Sequence, residues 1–264
     1  MAEERLDSLA LSSRPLGESD RLLTVLSEAH GLSRLAVPGA RKPRSSLAAA
    51  VPLAHLQLQV GGRSGLRRVR QLRVLHNYSQ LAQRLETLAA AQALAELCMA
   101  LVPTDEPVPG MLTTVLMHLG RLELLVRDRS DNLEALAVAV QAAVHVLAIG
   151  GYALPLSSCC RSGAPLDPPV GTWEWRCSLL PGEGFAIGAI AGARVVLNAS
   201  ELALLQRLPR ATLPRRRDGA LMGPQVVWLH LLELLECWCG EHLSRHPRSF
   251  RLLRQGIETA SGPP

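Results

Sequence analysis

The chain has 264 residues, enough for one large or two small domains, and carries 28 Lys and Arg against 23 Asp and Glu, a net charge of +5. Only 3% is aromatic, so the core has to be built from Leu, Ala and Val. The apolar stretches are read as too interrupted for a membrane span, the Met-Ala-Glu-Glu-Arg start is acidic and the six cysteines are expected to be reduced, so neither a membrane span nor a disulfide scaffold is expected and the chain is read as a soluble cytoplasmic protein.

Residues 1–78 read as short strands separated by turns. Leu9 and Leu11 alternate with polar neighbours in a first strand, and Arg14–Asp20 is expected to turn the chain. A second strand spans Leu22–Leu26 and a third Leu32–Val37. In the fourth, Ala54, Leu56, Leu58 and Val60 share one face while His55, Gln57 and Gln59 share the other, the period of a half-buried strand. A last strand follows around Leu66–Leu75. Five short strands within 78 residues suit a small closed barrel, and the expected answer is an OB-fold.

After Asn77 the period becomes helical. Ser79 is a candidate cap for a helix ending before Pro103. Met111–Val126 forms a second, and Asp131 with Glu134 makes a capping-box-like start to a third ending at Gly150-Gly151. Residues 153–197 lose periodicity and gain Gly, Pro, Cys and Trp, which marks an irregular insert. Asn198 or Ser200 caps the next helix, a basic loop covers Pro209–Asp218, and a long helix runs from about Pro224 to Leu243. The expected class is α+β: an N-terminal barrel (1–78), an α-helical domain (79–254) with the insert, and a disordered tail (255–264).

The insert invites a metal reading. Cys159, Cys160 and Cys177 frame a Gly- and Trp-rich segment, but a zinc ribbon needs four ligands, usually two C-x2-C pairs. The second positions hold Ser162 and Leu180. Cys159 and Cys177 are therefore read as the remnant of a degenerate ribbon, with no cofactor expected and with Trp173 and Trp175 supplying packing in the metal's place. Cys98, Cys237 and Cys239 read as core or boundary residues. No phosphate-binding Gly loop, nucleophile–base pair or other enzyme motif stands out, so no catalytic residue and no enzymatic activity are assigned.

Charge is unevenly distributed. Residues 1–80 hold twelve Arg and Lys against six Asp and Glu, and no acidic residue lies between Glu28 and Glu86. Such a field suits a polyanion. The candidate nucleic-acid-binding residues are Arg14, Arg21, Arg34, Arg41, Lys42, Arg44, Arg63, Arg67, Arg68, Arg70 and Arg73, since guanidinium groups grip phosphate oxygens bidentately. Stacking platforms are scarce, with only Tyr78, His55 and His76 on offer, which favours backbone-dominated binding of strands of any sequence. In Val37–Leu47, Pro38 and Pro43 bracket the basic turn and are expected to stiffen it.

The segment "ALSSRPLGESDRLLTVLSEAHGLSRLAVPGARKPRSSLAAAVPL" (Ala10–Leu53) resembles the N-terminal barrel of the bacterial recombination mediator family RecO. "LAAAQALAELCMAL" (Leu88–Leu101), Gly150-Gly-Tyr152 and "HLSRHPRSFRLLRQ" near the end are similar to its helical domain and tail. The resemblance implies an OB-fold, a helical domain often carrying a four-cysteine zinc ribbon, and no enzymatic activity. It implies binding of single- and double-stranded DNA, strand annealing and, with RecR, help in loading RecA onto DNA coated by single-strand-binding protein. It also implies that the helical domain recognises the acidic C-terminal tail of that protein, with Arg121, Arg127 and Arg129 as candidates, and a cytoplasmic, nucleoid-associated location. Read from the residues alone, an adaptor whose barrel docks an acidic peptide or RNA is the alternative.

Overall fold

The computed structural model describes residues 3–62, 65–243 and 247–260. Five strands form a closed barrel: β1 (Glu3–Leu16), β2 (Asp20–Ser27), β3 (Gly31–Val37), β4 (Ala54–Gly61) and β5 (Arg67–Asn77), in the spatial order β1-β2-β3-β5-β4. This is the strand order of the OB-fold. β3 and β5 meet in parallel over only two residue pairs, Leu35 with Arg67 and Ala36 with Arg68. The other contacts are antiparallel.

β1 is longer than the sequence suggests, because the expected turn at Arg14 is still strand and the chain reverses at Gly17–Ser19. A bulge between Ala10 and Ser12 explains the length. It bends the strand so that Glu3–Leu9 pairs with β4 while Ser8–Leu16 pairs with β2, as closure of a small barrel requires. Inward-facing Leu6, Leu23, Val25, Leu35, Leu56, Leu58, Val60 and Val69 fill the interior. The β3–β4 segment plugs one end, with Ala40, Leu47 and Ala50 buried among them.

A second core holds the helices α1 (Leu85–Leu101), α2 (Met111–Arg127), α3 (Asn132–Ile149), α4 (Ala199–Leu205), α5 (Gln225–His242) and α6 (Ser249–Ala260). Leu9, Leu11, Leu26, Leu32 and Leu53 of the barrel belong to this core, so the barrel is packed onto the helices rather than tethered to them. α3 is long and apolar enough to cross a membrane by length and composition, yet it is the central helix, packed by α1, α2, α5 and α6.

Two helix starts differ from expectation. Asn77, not Ser79, accepts the capping bond, from the Ser79 amide at 3.0 Å, and Tyr78–Gln83 forms a 3-10 turn before α1 begins at Leu85. Asp131 caps α3, but Glu134 does not close the box; it pairs with Arg215 at 2.7 Å. The complete capping box is at α4, between Asn198 and Glu201. Of the expected disordered tail, residues 255–260 are the second half of α6, whose Phe250, Leu253 and Ile257 sit in the core; 261–264 lie outside the described residues. The insert contains a three-stranded antiparallel sheet of β6 (Arg176–Leu180), β7 (Gly184–Ile187) and β8 (Val195–Asn198), with β6 in the middle.

Candidate nucleic-acid interface

The basic residues do not form one field. They separate into a cluster at one end of the barrel, a set along its wall, and one residue committed to the fold. The end cluster is assembled by Asp20. Its carboxylate accepts the Gly39 amide at 2.8 Å, the Arg41 amide donates to Ser19 O at 2.9 Å, and the Arg41 guanidinium donates to Gly17 O at 3.0 Å. The β1–β2 turn and the basic loop are thereby locked together, and the Lys42 backbone amide donates to Gly39 O at 3.0 Å. The Asp20 carboxyl is held below its usual range, first by the Gly39 amide, then by Ser19, with the charges of Arg68 and Lys42 contributing. Arg68 pairs with Ala36, one residue before β3 ends and the basic loop begins.

Arg21 reaches the same loop, donating to Ala50 O at 3.1 Å. Arg41, Lys42, Arg44 and Arg68 are exposed, and Arg44 adopts φ +58°, the left-handed region that a side chain other than glycine rarely occupies. The loop is tied to the β1–β2 turn by the Asp20–Gly39 bond and the two bonds from Arg41. Arg14, Arg34, Arg70 and Arg73 are exposed along β1, β3 and β5, with no hydrogen-bonded partner among the described residues. Arg63 lies outside the described residues.

Arg67 belongs elsewhere. Its guanidinium donates to Glu4 at 2.9 Å and to Ser33 Oγ at 3.2 Å and lies 3.6 Å from Asp105 in the α1–α2 connection, with only 19% of the side chain exposed. It joins the barrel to the helices and is not poised to meet a phosphate. The acid-free stretch in the sequence is thus partly neutralised in space by carboxylates from outside it. The expected stacking residues are spent as well. Tyr78 is buried, His55 is held by Asp7, and His76 by Glu123 at 2.8 Å.

The sequence reading missed Arg5. It lines a polar recess of about 200 Å³ on the β1–β4–β5 wall together with Gln57, Gln59, Gln71 and Arg73. The cross-strand register, Arg5 opposite Gln59 opposite Gln71, brings them together, and that register was not visible along the chain.

In the insert, Cys159 is buried and its sulfur accepts the Ile187 amide at 3.4 Å and a hydrogen bond from Ser162, the residue standing where a second ligand would be. These bonds, Ser162 first, hold the thiol down at about 7, whereas burial pushes Cys177 up to about 12. Among the described residues no three His, Cys, Asp or Glu side chains are placed to hold a metal. Trp173 does not pack in a metal's place, being 87% exposed; Trp175 is the one that packs against the core. Of the three arginines considered on the helical side, Arg121 is turned inward, donating to Gln141 Oε1 at 3.0 Å and Ala211 O at 2.6 Å, and Arg127 pairs with Asp128 at 2.8 Å.

Two family models match, "Recombination protein O N terminal" over residues 1–78 and "Recombination protein O C terminal" over residues 82–251. The chain belongs to the RecO family. It is 63% identical to the DNA repair protein RecO of Synechococcus sp. (strain CC9311), covering 98% of this chain and 99% of that one. It is 64% identical to the counterpart in Synechococcus sp. (strain WH7803), covering 98% and 96%, and 35% identical to that of Cyanothece sp. (strain PCC 7425 / ATCC 29141), covering 89% and 75%. The family boundary near residue 78 falls where β5 gives way to helix.

Proposed function

We propose that the chain is a non-enzymatic DNA repair and recombination mediator. It binds single- and double-stranded DNA through the barrel, anneals complementary strands and, with RecR, helps load RecA onto strands coated by single-strand-binding protein, whose acidic tail docks on the helical domain. It works in the cytoplasm at the nucleoid, and its insert needs no zinc.

The observation that supports this reading most directly is the basic end of the OB barrel. Arg41, Lys42 and Arg44 stand exposed on a loop tied to the β1–β2 turn through Asp20 and Arg41, with exposed Arg68 beside it on β5, so little backbone freedom of the loop remains to be lost when phosphates bind. The lack of free aromatic rings on the barrel supports contact through phosphates, which leaves base edges open for pairing.

Changing Arg41, Lys42 and Arg44 to Ala should weaken binding of unrelated single strands about equally and flatten the log–log salt slope by about 2, at roughly 0.7 per lost phosphate contact. Fluorescence anisotropy across a salt series measures both. An unchanged slope, or displacement of DNA by an acidic peptide that binds more tightly, would favour a peptide-docking barrel instead.

A further inference from the structure

On the helical domain, the segment from Arg207 to Arg217 contains Arg207, Arg210, Arg215, Arg216 and Arg217, all exposed, and no acidic residue precedes Asp218. A solvated charge run would leave its backbone free, but this one is bolted down from inside. Gln141, buried on α3, donates to Leu208 O at 3.3 Å, Arg210 O at 2.9 Å and Thr212 O at 3.1 Å. His145 bonds Leu208 O at 2.8 Å and Arg121 takes Ala211 O at 2.6 Å. Four consecutive-region carbonyls are thus drawn inward, and Arg215 adds a two-point bond to Glu134 at 2.7 Å. What remains outside is Arg207, Arg210, Arg216 and Arg217. Arg216 meets only exposed Asp218 at 3.8 Å, Arg207 reaches the Met222 sulfur, and Arg210 and Arg217 have no side-chain partner among the described residues.

We infer that this rigid loop is a second phosphate-binding surface, which holds one DNA strand on the helical domain while the barrel holds another. The inference rests on the DNA-binding reading of the barrel. Neighbouring grooves take in Arg216 and Arg207 beside Leu221, Met222 and Val227, and could suit an acidic peptide with apolar anchors. Arg210 and Arg217 line neither groove, so the charge extends beyond a peptide slot, as an elongated polyanion requires. Two sites on one chain also give annealing a physical basis, since two strands are then carried by their backbones on one molecule.

The test counts strands. Native mass spectrometry of the full chain with oligothymidylates of about ten nucleotides, long enough for one site, should show two bound per chain. Arg210/Arg216/Arg217→Gln should take up one, with annealing slowed about tenfold or more as the loss of several phosphate contacts predicts. Arg41/Lys42/Arg44→Ala should lose the other. The charge reversal Arg210→Glu/Arg217→Glu, at two residues whose side chains have no partner among the described residues, guards against misfolding and should act in the same way. Two strands still bound by both loop variants, or annealing at the wild-type rate, overturns the inference, as does a loop that takes only an acidic peptide. If instead the barrel variant keeps full binding and the loop variants lose it, the barrel reading fails while the loop remains a DNA site.

Discussion

At the scale of single residues, the least comfortable side chain among the described residues is His118. Its Nε2 lies 3.0 Å from His145 Nδ1, and His145 Nε2 is bonded to Leu208 O, so the proton order is fixed and His118 Nδ1 is left buried with no partner. Burial, with the charges of His145 and Arg121 adding to it, holds the His118 pKa down at about 3. The unfolded chain takes up this proton near pH 6.5, so stability is complete above that pH and drains as pH falls towards 3, by about 1.4 kcal/mol per pH unit. His118→Leu should remove most of that slope, which urea midpoints measured between pH 7 and pH 4 would show. Arg44 is a residue of the opposite kind, strained but exposed. Glycine relieves its left-handed backbone, so Arg44→Gly should stabilise by up to about 1 kcal/mol while removing one of the proposed phosphate contacts. A rise in melting temperature together with weaker DNA binding is the expected pair of results.

At the scale of elements, the alternation of β4 and the helical spacing of α2 and α5 were legible because burial on one face writes its period directly into the sequence, whereas α3, buried nearly all round, was legible by its Asp131 start and its Gly150-Gly151 stop. The long β1 was not, because Pro15 and Gly17 look like one turn whether or not a bulge lets the strand continue to Leu16. The basic loop was legible as a stiff turn, but its anchor, Asp20, sits 19 residues earlier than Gly39 and signals nothing locally. The same applies to the β2–β3 turn. Gly31 has φ +58°, and a Cβ there would lie 2.0 Å from Glu106 O and 3.0 Å from Pro103 O. The approach exists because Leu32 donates to Pro103 O at 3.1 Å and accepts from the Asp105 amide at 2.8 Å, which stitches the barrel to the α1–α2 connection. Gly31→Ala must therefore separate the two, at a cost of at least about 2 kcal/mol for the strained backbone and the broken bonds. Denaturant unfolding should show the loss, and proteolysis should cut first near residues 103–106.

At the scale of the whole molecule, charge alone misassigned one arginine, and the reason lies in the packing of barrel against helices. Arg67 belongs by sequence to the same run as Arg68 and Arg70, yet it is the neighbour of Leu35 in the barrel's narrow parallel seam and points to where Asp105 arrives from the helical side. Ser33 Oγ donates to that same Asp105 at 3.1 Å. Glu4 completes the group, its carboxyl held below the usual range first by the bond from His30 and then by Arg67. No local pattern reports a partner 38 residues further on, whereas the fold requires one wherever an arginine is this nearly enclosed. The two roles separate experimentally. Arg67→Ala should cost about 1–2 kcal/mol of stability, a figure kept small by the solvent that reaches Glu4 and Asp105, and should leave the salt slope of DNA binding unchanged. Arg68→Ala should do the reverse, sparing the melting temperature and lowering the slope by about 0.7. Adjacent arginines with opposite phenotypes would show that packing, rather than charge, decides which basic residues are free to meet DNA.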